Sequence, residues 1–382
     1  MRAFIDGRVI PEEHVLRRWD AAADSVLTRL TGEAKKEGLW ALGHSGAMGG
    51  GGIPLAAFAY VNEIIGRSYW GQIAVGSVSM QDSMMLDRFG TQDQKQRWLL
   101  PLVKGEIRSS VGMTEPGVAG SDPTLMQTRA ERRPNGTWVI NGHKWFTTGA
   151  DGAAFTTVFA RTSDDSVPIG ERFTAFLVPT DSPGYEHVRE VPTISDIHPP
   201  EAEIRLTDVI VDDSAVLAGP GRGLEVARSR LGPGRLFHCM RWIGQAQRAF
   251  ELMVSRANSR YAHGSLLADK GEIRRLVAES ATQIHAVRLM TIDAAREFDA
   301  GGDARAQLSM IKVAGARMLH DVIDRSIQVH GALGVSADTP LEGMYRAARY
   351  ARIYDGPDEV HNMIVGRTLL KDPERLWRIC PA

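Results

Sequence analysis

The sequence predicts an N-terminal all-α domain, a small β-barrel or β-sandwich domain in the middle, and a C-terminal four-helix bundle. Its 382 residues suit two or three domains of ordinary size. Apolar residues spaced three and four apart dominate both ends of the chain, which is typical of helices, and β-rich runs dominate the middle. We place the domains at residues 1–109, 110–220 and 221–382.

Four amphipathic segments predict the N-terminal helices. They are VLRRWDAAADSVLTRLTGEAKKEGLW, AAFAYVNEIIGRSYW, MQDSMMLDRFG and DQKQRWLLPLVKGE. The glycine-rich stretch GAMGGGGIPL, residues 46–55, interrupts them. Its glycines are compatible with a phosphate-binding loop, but such runs more often form flexible surface loops, which we favour here.

The character of the chain changes after Pro116, where strand-forming residues take over. TWVINGHKWFTTG sets two β-rich runs around Asn141-Gly142, and we expect a hairpin turn at that pair because both residues tolerate positive φ. FTTVFART, FTAFLVPT and AEIRLTDVIV supply further strands. Together they predict the small β domain.

Helical periodicity returns at Leu236 and continues in two more long segments, at 273–298 and 308–322. A fourth helix is predicted to begin near Pro357. Helices of about 25 residues are roughly 38 Å long, and antiparallel neighbours of that length form a four-helix bundle.

Composition excludes several classes of function. Lys and Arg number 45 against 46 Asp and Glu, so no excess of charge attracts nucleic acid or anionic lipid. The two cysteines, Cys239 and Cys380, cannot form a disulfide framework. We find no signal-peptide pattern and no apolar run long enough to span a membrane, so we expect a soluble cytoplasmic protein.

Common catalytic and cofactor motifs are absent. GPGRG, residues 219–223, lacks the third glycine of a dinucleotide-binding loop, since Leu224 stands there. No P-loop, zinc-protease or hydrolase-elbow motif occurs. The eleven histidines are scattered without ligand spacing, so we expect no metal site.

Two polar segments carry open alternatives. MTEPGVAGSD, residues 113–122, is either a domain linker rich in turn formers or a turn whose amides and hydroxyls hold an anion or a flavin edge. KWFTTG, residues 144–149, is by itself best explained as a strand that uses Trp145 as core.

Five segments together resemble the acyl-CoA dehydrogenase family of flavoenzymes in order and spacing. They are MTEPGVAGSD, NGHKWFTTG, RLGPGRLFHCMRWIGQAQRAF, IQVHGALG and YRAARYARIYDGPDEVH. They cover nearly the whole chain, and the predicted domain order matches the fold of that family. IYDGPDEVH and RLGPGR are most similar to the branch that includes family members ten and eleven.

The resemblance implies FAD as cofactor and an acyl-CoA as substrate. It places FAD contacts on both sides of a subunit interface, so it also implies a homodimer or homotetramer. The implied FAD contacts are Met113, Thr114, Ser121, Trp145, Thr147, Arg260, Gln328, Gly331, Pro357 and Glu359. The implied substrate contacts are Ser121, Arg235, Tyr354 and Gly356.

The resemblance assigns the catalytic base to Asp355. Most of the family carries Tyr-Glu-Gly-Thr, whereas this chain has Tyr354, Asp355, Gly356 and Pro357, so the carboxylate is one methylene shorter. Without the resemblance, Asp355 is simply an acid at the start of a helix, where the helix dipole favours it. As the base, it is expected to have a pKa raised by burial.

The implied reaction is removal of an α proton and a β hydride from an acyl-CoA thioester, which gives a trans-2-enoyl-CoA. An electron-transferring flavoprotein is the implied electron acceptor. Two alternatives remain open: an oxidase of the same fold, of the acyl-CoA oxidase or nitroalkane-oxidase type, and a catalytically silent partner subunit. The length and substitution of the acyl chain cannot be read from the sequence.

Overall fold

Helices, then a sheet, then helices follow one another along the chain in the computed structural model, which describes residues 1–195, 201–302 and 304–375. This order confirms the predicted fold class. None of the helices in those ranges is long and apolar enough to cross a membrane.

The N-terminal part is built from eight short helices with 3-10 and π turns between them. These helices are α1 (Arg2–Phe4), α2 (Glu13–Leu16), α3 (Ala21–Lys36), α4 (Leu55–Ile65), α5 (Gly71–Ala74), α6 (Met80–Phe89), α7 (Gln92–Gln94) and α8 (Leu100–Lys104). Helix α3 begins where the Asp20 side chain accepts from the free amides of Ala22 and Ala23. The glycine-rich stretch forms the loop before α4, with one 3-10 turn at Gly46–Met48.

Eight strands of the middle part form one sheet, and two short strands form a separate hairpin. The sheet contains β1 (Ser109–Gly112), β2 (Arg129–Arg132), β3 (Thr137–Thr148), β4 (Phe155–Arg161), β5 (Phe173–Pro179), β6 (Tyr185–Val191), β7 (Glu201–Asp212) and β8 (Val216–Leu217). The hairpin contains β9 (Tyr261–Ala262) and β10 (Ser265–Leu266). The strand order is β6-β7-β3-β2-β4-β5-β8, with β1 parallel to β4.

The predicted hairpin turn at Asn141-Gly142 is wrong. Strand β3 runs through both residues, and Asn141 pairs with Arg129 of β2. The turn between β2 and β3 lies at the other Asn-Gly pair, Asn135-Gly136, where Gly136 has a φ of +80°. At Asn141-Gly142 the register of β3 against β7 shifts instead, as at a β-bulge.

Up to residue 375, the C-terminal part contains five helices. They are α9 (Gly223–Ser259), α10 (Gly271–Asp299), α11 (Arg305–His330), α12 (Leu341–Ala348) and α13 (Asp358–Lys371). Helices α9, α10 and α11 are as long as predicted or longer, but α13 has only 14 residues.

Helix α9 begins at Gly223, well before the expected Leu236, and passes through Pro233. The early turns are stabilised by packing, since Leu224, Val226 and Ala227 are buried with residues of the sheet and of the N-terminal helices. Tertiary packing thus outweighs the helix-breaking tendency of the Gly-Pro-Gly segment.

Helices α4 and α9 cross in direct backbone contact. A Cβ on Gly244 would lie 1.9 Å from the Glu63 carbonyl oxygen, and one on Gly66 would lie 2.3 Å from the Arg241 Cα. Only glycine permits such an approach. The crossing fixes the middle of α9, which carries several side chains of the candidate site.

Candidate active site

Asp355 lies in the short connection between the 3-10 turn Arg349–Arg352 and helix α13. Its φ is +53°, in the left-handed region that few residues other than glycine adopt. Its carbonyl oxygen accepts hydrogen bonds from Arg235 Nε at 3.0 Å and from His361 Nε2 at 3.1 Å. Two helices, α9 and α13, therefore hold this strained residue in place, a combination that is concentrated at functional sites.

The carboxylate of Asp355 faces helix α9. Its side chain is 15% exposed, and its Oδ2 atom lies 3.2 Å from His238 Nε2. Burial would raise the pKa of the Asp355 carboxyl, but His238, Arg230 and Arg235 outweigh burial and hold that pKa below its ordinary value. The expectation of a raised pKa is therefore wrong, and Asp355 is ionised at neutral pH.

Lys312 holds the backbone on both sides of Asp355. It is fully buried on α11, and its Nζ donates to the carbonyl oxygens of Ala351 at 2.6 Å and Gly356 at 3.1 Å. His361 completes the support, because its Nδ1 lies 3.2 Å from Ser309 Oγ while its Nε2 bonds Asp355. Hydrogen bonds from α11 and α13 therefore fix the backbone before and after Asp355.

Tyr354 packs against the His238 ring of helix α9. Its hydroxyl oxygen accepts a hydrogen bond from Trp242 Nε1 at 3.1 Å, and its ring centroid is 4.7 Å from that of His238. Burial raises the pKa of Tyr354, so the phenol is neutral.

The segment 113–122 is joined to strand β3 by a buried ion pair. Lys144 Nζ lies 2.8 Å from Glu115 Oε1 and donates to the Met113 carbonyl oxygen at 3.0 Å. The Trp145 amide donates to the Thr114 carbonyl oxygen at 3.0 Å. Four of the predicted FAD contacts, Met113, Thr114, Trp145 and Thr147, therefore lie on two adjoining segments.

Two polar atoms of this region are buried without a partner. Trp145 Nε1 and Thr147 Oγ1 make no hydrogen bond to any residue in the described part of the chain. Buried donors and acceptors are normally satisfied, so these two indicate that something else contacts this surface. A flavin ring, which carries both donors and acceptors, suits such a pair.

The other predicted contacts lie apart from these segments. Arg260 and Gln328 are exposed, and neither side chain is hydrogen-bonded within residues 1–195, 201–302 and 304–375. Gly331, Ser121 and Glu359 are also exposed. Pro357 immediately precedes α13 and is its N-cap residue.

Sequence reasoning missed several residues that surround Asp355. They are Arg230, His238, Arg241, Lys312 and His361. A signal was available for the α9 members, because 230, 234, 238, 241 and 242 follow helical spacing of three and four around Arg235.

Family models match nearly the whole chain. They are the acyl-CoA dehydrogenase N-terminal domain at 1–106, middle domain at 110–209 and C-terminal domain at 221–370. Among curated proteins, acyl-CoA dehydrogenase family member 10 of Mus musculus is 40% identical over 98% of this chain. FadE2 of Mycobacterium tuberculosis is 40% identical over 92% of this chain and 87% of its own length. This chain spans only 36% of the length of the mouse protein.

Solved structures share the fold. A Mycobacterium abscessus protein described as an acyl-CoA dehydrogenase has a TM-score of 0.91 and 36% identity, with 97% of this chain and 96% of that one covered. Butyryl-CoA dehydrogenase of Megasphaera elsdenii has a TM-score of 0.83 and 25% identity, with 91% of this chain and 90% of that one covered.

Proposed function

We propose that this chain, which belongs to the acyl-CoA dehydrogenase family, catalyses FAD-dependent α,β-dehydrogenation of an acyl-CoA thioester to a trans-2-enoyl-CoA. The observation that carries the proposal is Asp355: an ionised, mostly buried carboxylate on a strained residue whose carbonyl is held by Arg235 and His361. Such an arrangement suits a general base, which must be deprotonated and fixed in position.

The residues present fit FAD. Trp145 Nε1 and Thr147 Oγ1 are buried polar atoms that lack partners among the described residues, and the adjoining segment 113–122 offers further amides and hydroxyls. Met113, Thr114, Trp145 and Thr147 would hold the flavin. When bound, FAD supplies the acceptor for the hydride that leaves the β carbon of the substrate.

Asp355 removes the proton from the α carbon of the thioester. The electron pair of that C–H bond becomes the new α,β double bond, and Asp355 leaves the step as a carboxylic acid. Negative charge develops on the thioester oxygen as the proton leaves, so a donor must face that oxygen. The Asp355 amide suits this role, because it makes no hydrogen bond to another residue of the described part of the chain.

Arg235 acts through Asp355 in this mechanism. Its Nε bonds the Asp355 carbonyl oxygen, so it orients the residue that carries the carboxylate. Ser121, Tyr354 and Gly356 remain predicted substrate contacts, and an electron-transferring flavoprotein remains the proposed acceptor of the electrons.

The test is anaerobic mixing of the purified yellow protein with a panel of acyl-CoA thioesters that differ in chain length and branching. We expect at least one to bleach the flavin and to yield a 2-enoyl thioester with two fewer hydrogen atoms. Rapid reoxidation by air would favour the oxidase alternative. A protein that binds FAD and is bleached by no thioester in the panel would contradict the proposal.

A further inference from the structure

We propose that His238 is a positioning residue for the base: Arg241 holds its imidazole in the tautomer with the proton on Nε2, the ring nitrogen beside Asp355 Oδ2. The other carboxylate oxygen, Oδ1, then remains for the substrate proton. This inference rests on the proposed function, in which Asp355 is the base.

The tautomer follows from the partner of the other ring nitrogen. Arg241 Nη2 lies 3.0 Å from His238 Nδ1, in hydrogen-bond geometry. A guanidinium group only donates, so Nδ1 must be the acceptor and cannot carry a proton. A neutral His238 therefore has its one proton on Nε2, the atom that lies 3.2 Å from Asp355 Oδ2.

Neighbouring rings restrict the orientation of the imidazole. Trp242 stacks on His238 with an interplanar angle of 24° and a centroid distance of 5.8 Å. Tyr354 lies on the ring at 4.7 Å and is itself bonded by Trp242. Rotation of the imidazole would break these contacts, so Nε2 stays beside the Asp355 carboxylate.

The imidazole is neutral at physiological pH. Burial is the main cause that lowers the pKa of His238 to about 4, and Arg241 and Lys312 lower it further against the opposing effect of Asp355. Other charged or titratable groups act on Asp355 or lie beside it. They are Arg230 and Arg235 on α9, Lys312 on α11 and His361 on α13.

In this geometry His238 can donate to the Asp355 carboxylate but cannot relay a proton. As a donor to Oδ2, it stabilises the carboxylate over the carboxylic acid and helps to keep Asp355 ionised. It cannot relay the abstracted proton, because Nε2 already carries a hydrogen and the lone pair of Nδ1 is taken by Arg241. Oδ2 is buried and makes no aligned hydrogen bond within the described residues. Because the imidazole is held by its neighbouring rings, a small rotation of the Asp355 carboxylate would align Oδ2 with the Nε2 proton.

The experiment compares His238→Phe, which keeps a flat ring but has no donor, with His238→Gln, whose amide can still donate. The control is His320→Phe, since His320 is likewise half-buried and packs against the Tyr345 ring. For each holoenzyme, the rate of anaerobic flavin bleaching by one acyl-CoA is measured from pH 3 to pH 9, a range that includes the ordinary pKa of an aspartate.

Because loss of the donor raises the pKa of Asp355, the bleaching rate of His238→Phe should fall at acid pH where the wild-type rate is still flat. We expect the midpoint to rise by about one unit or more. His238→Gln should recover at least half of that shift, and the control should match wild type. A His238→Phe profile that is lowered but unshifted, or a Gln variant identical to Phe, would overturn the inference.

A second readout does not depend on turnover. In protein labelled with ¹⁵N-histidine, His238 should show a protonated Nε2 and an unprotonated Nδ1 from pH 6 to pH 9, with the signal identified by its loss in His238→Gln. A proton on Nδ1 would refute the inference that Arg241 fixes the tautomer of His238. In the same bleaching assay, an Asp355→Asn variant as fast as wild type would instead refute the proposed function itself.

Discussion

At the scale of single residues, the position of Asp355 depends on the side chains that bind its carbonyl oxygen. Replacing Arg235 by Met removes the donor to the Asp355 carbonyl oxygen. A hydrogen bond from a charged donor is worth about 1.5 to 3 kcal/mol, so we expect kcat to fall by about 10- to 100-fold. KM should change little, because Arg235 acts on the base. Steady-state kinetics measure both constants.

The matched control is Arg228→Met, an exposed position on the same helix. It should leave kcat unchanged within experimental error. If Arg235→Met instead raised KM and left kcat intact, Arg235 would be a substrate contact, as the sequence analysis expected.

The sequence singled out Asp355 and Arg235, which the structure brings into contact, but not their neighbours. Both stand in segments that resemble the family. His238, Lys312 and His361 contact Asp355 and its neighbours only because α9, α11 and α13 meet at the segment that precedes α13. Helical spacing shows that His238 and Arg235 share a face of α9. It does not show that Asp355, which is distant in sequence, lies opposite that face. The direction of the Asp355 pKa shift was wrongly predicted for the same reason. The sequence suggests that Asp355 is buried, but it does not show that Arg230 and Arg235 lie close enough to lower the pKa.

At the scale of elements, the crossing of α4 and α9 positions the face of α9 that contacts Asp355. Gly244→Ala places a Cβ within 1.9 Å of the Glu63 carbonyl oxygen, so the two helices must separate. We expect the free energy of unfolding to fall by about 1 to 3 kcal/mol. Chemical denaturation measures this loss, and kcat should fall with it, since His238 and Arg241 shift together.

Gly366→Ala on α13 is the comparison, because an added Cβ there meets nothing within 4 Å. It should raise the free energy of unfolding by about 0.5 to 1 kcal/mol, as expected for Gly to Ala within a helix. Equal destabilisation by both substitutions would mean that the crossing does not require glycine.

Element positions were predictable where periodicity was strong and uncertain where two signals competed. The long helices α10 and α11 were found, but the hairpin was assigned to Asn141-Gly142 instead of Asn135-Gly136. Both pairs have the same turn chemistry, and only the pairing of β2 with β3 distinguishes them. The start of α9 was placed too late because Gly232, Pro233 and Gly234 suggest a helix boundary, while packing against the sheet extends the helix through them.

At the scale of the whole molecule, the order of the three parts follows from sequence patterns, whereas the assembly of subunits is implied only by the family resemblance. Arg260 and Gln328 are predicted to reach FAD in a neighbouring subunit, and both side chains are exposed and without hydrogen bonds within the described part of the chain. Arg260→Ala should therefore weaken FAD binding by about 10- to 100-fold, as loss of a charge-assisted hydrogen bond implies. Fluorimetric FAD titration of the apoprotein measures the change.

Light scattering at micromolar concentration should give the mass of a dimer or tetramer for the wild type. Arg228→Ala serves as the charge-matched control and should bind FAD normally. A strictly monomeric species that keeps its FAD and turns over would contradict a site shared between subunits.

Whether Asp355 is the base is tested by the rate of anaerobic flavin reduction in Asp355→Asn. This substitution keeps the size of the side chain but cannot accept a proton. If Asp355 is the base, FAD and acyl-CoA still bind to this variant while the rate falls by at least about 10²- to 10⁴-fold. A variant that reduced its flavin as fast as wild type with the best acyl-CoA would contradict the account, and Asp355 would then be only an acid at the start of a helix.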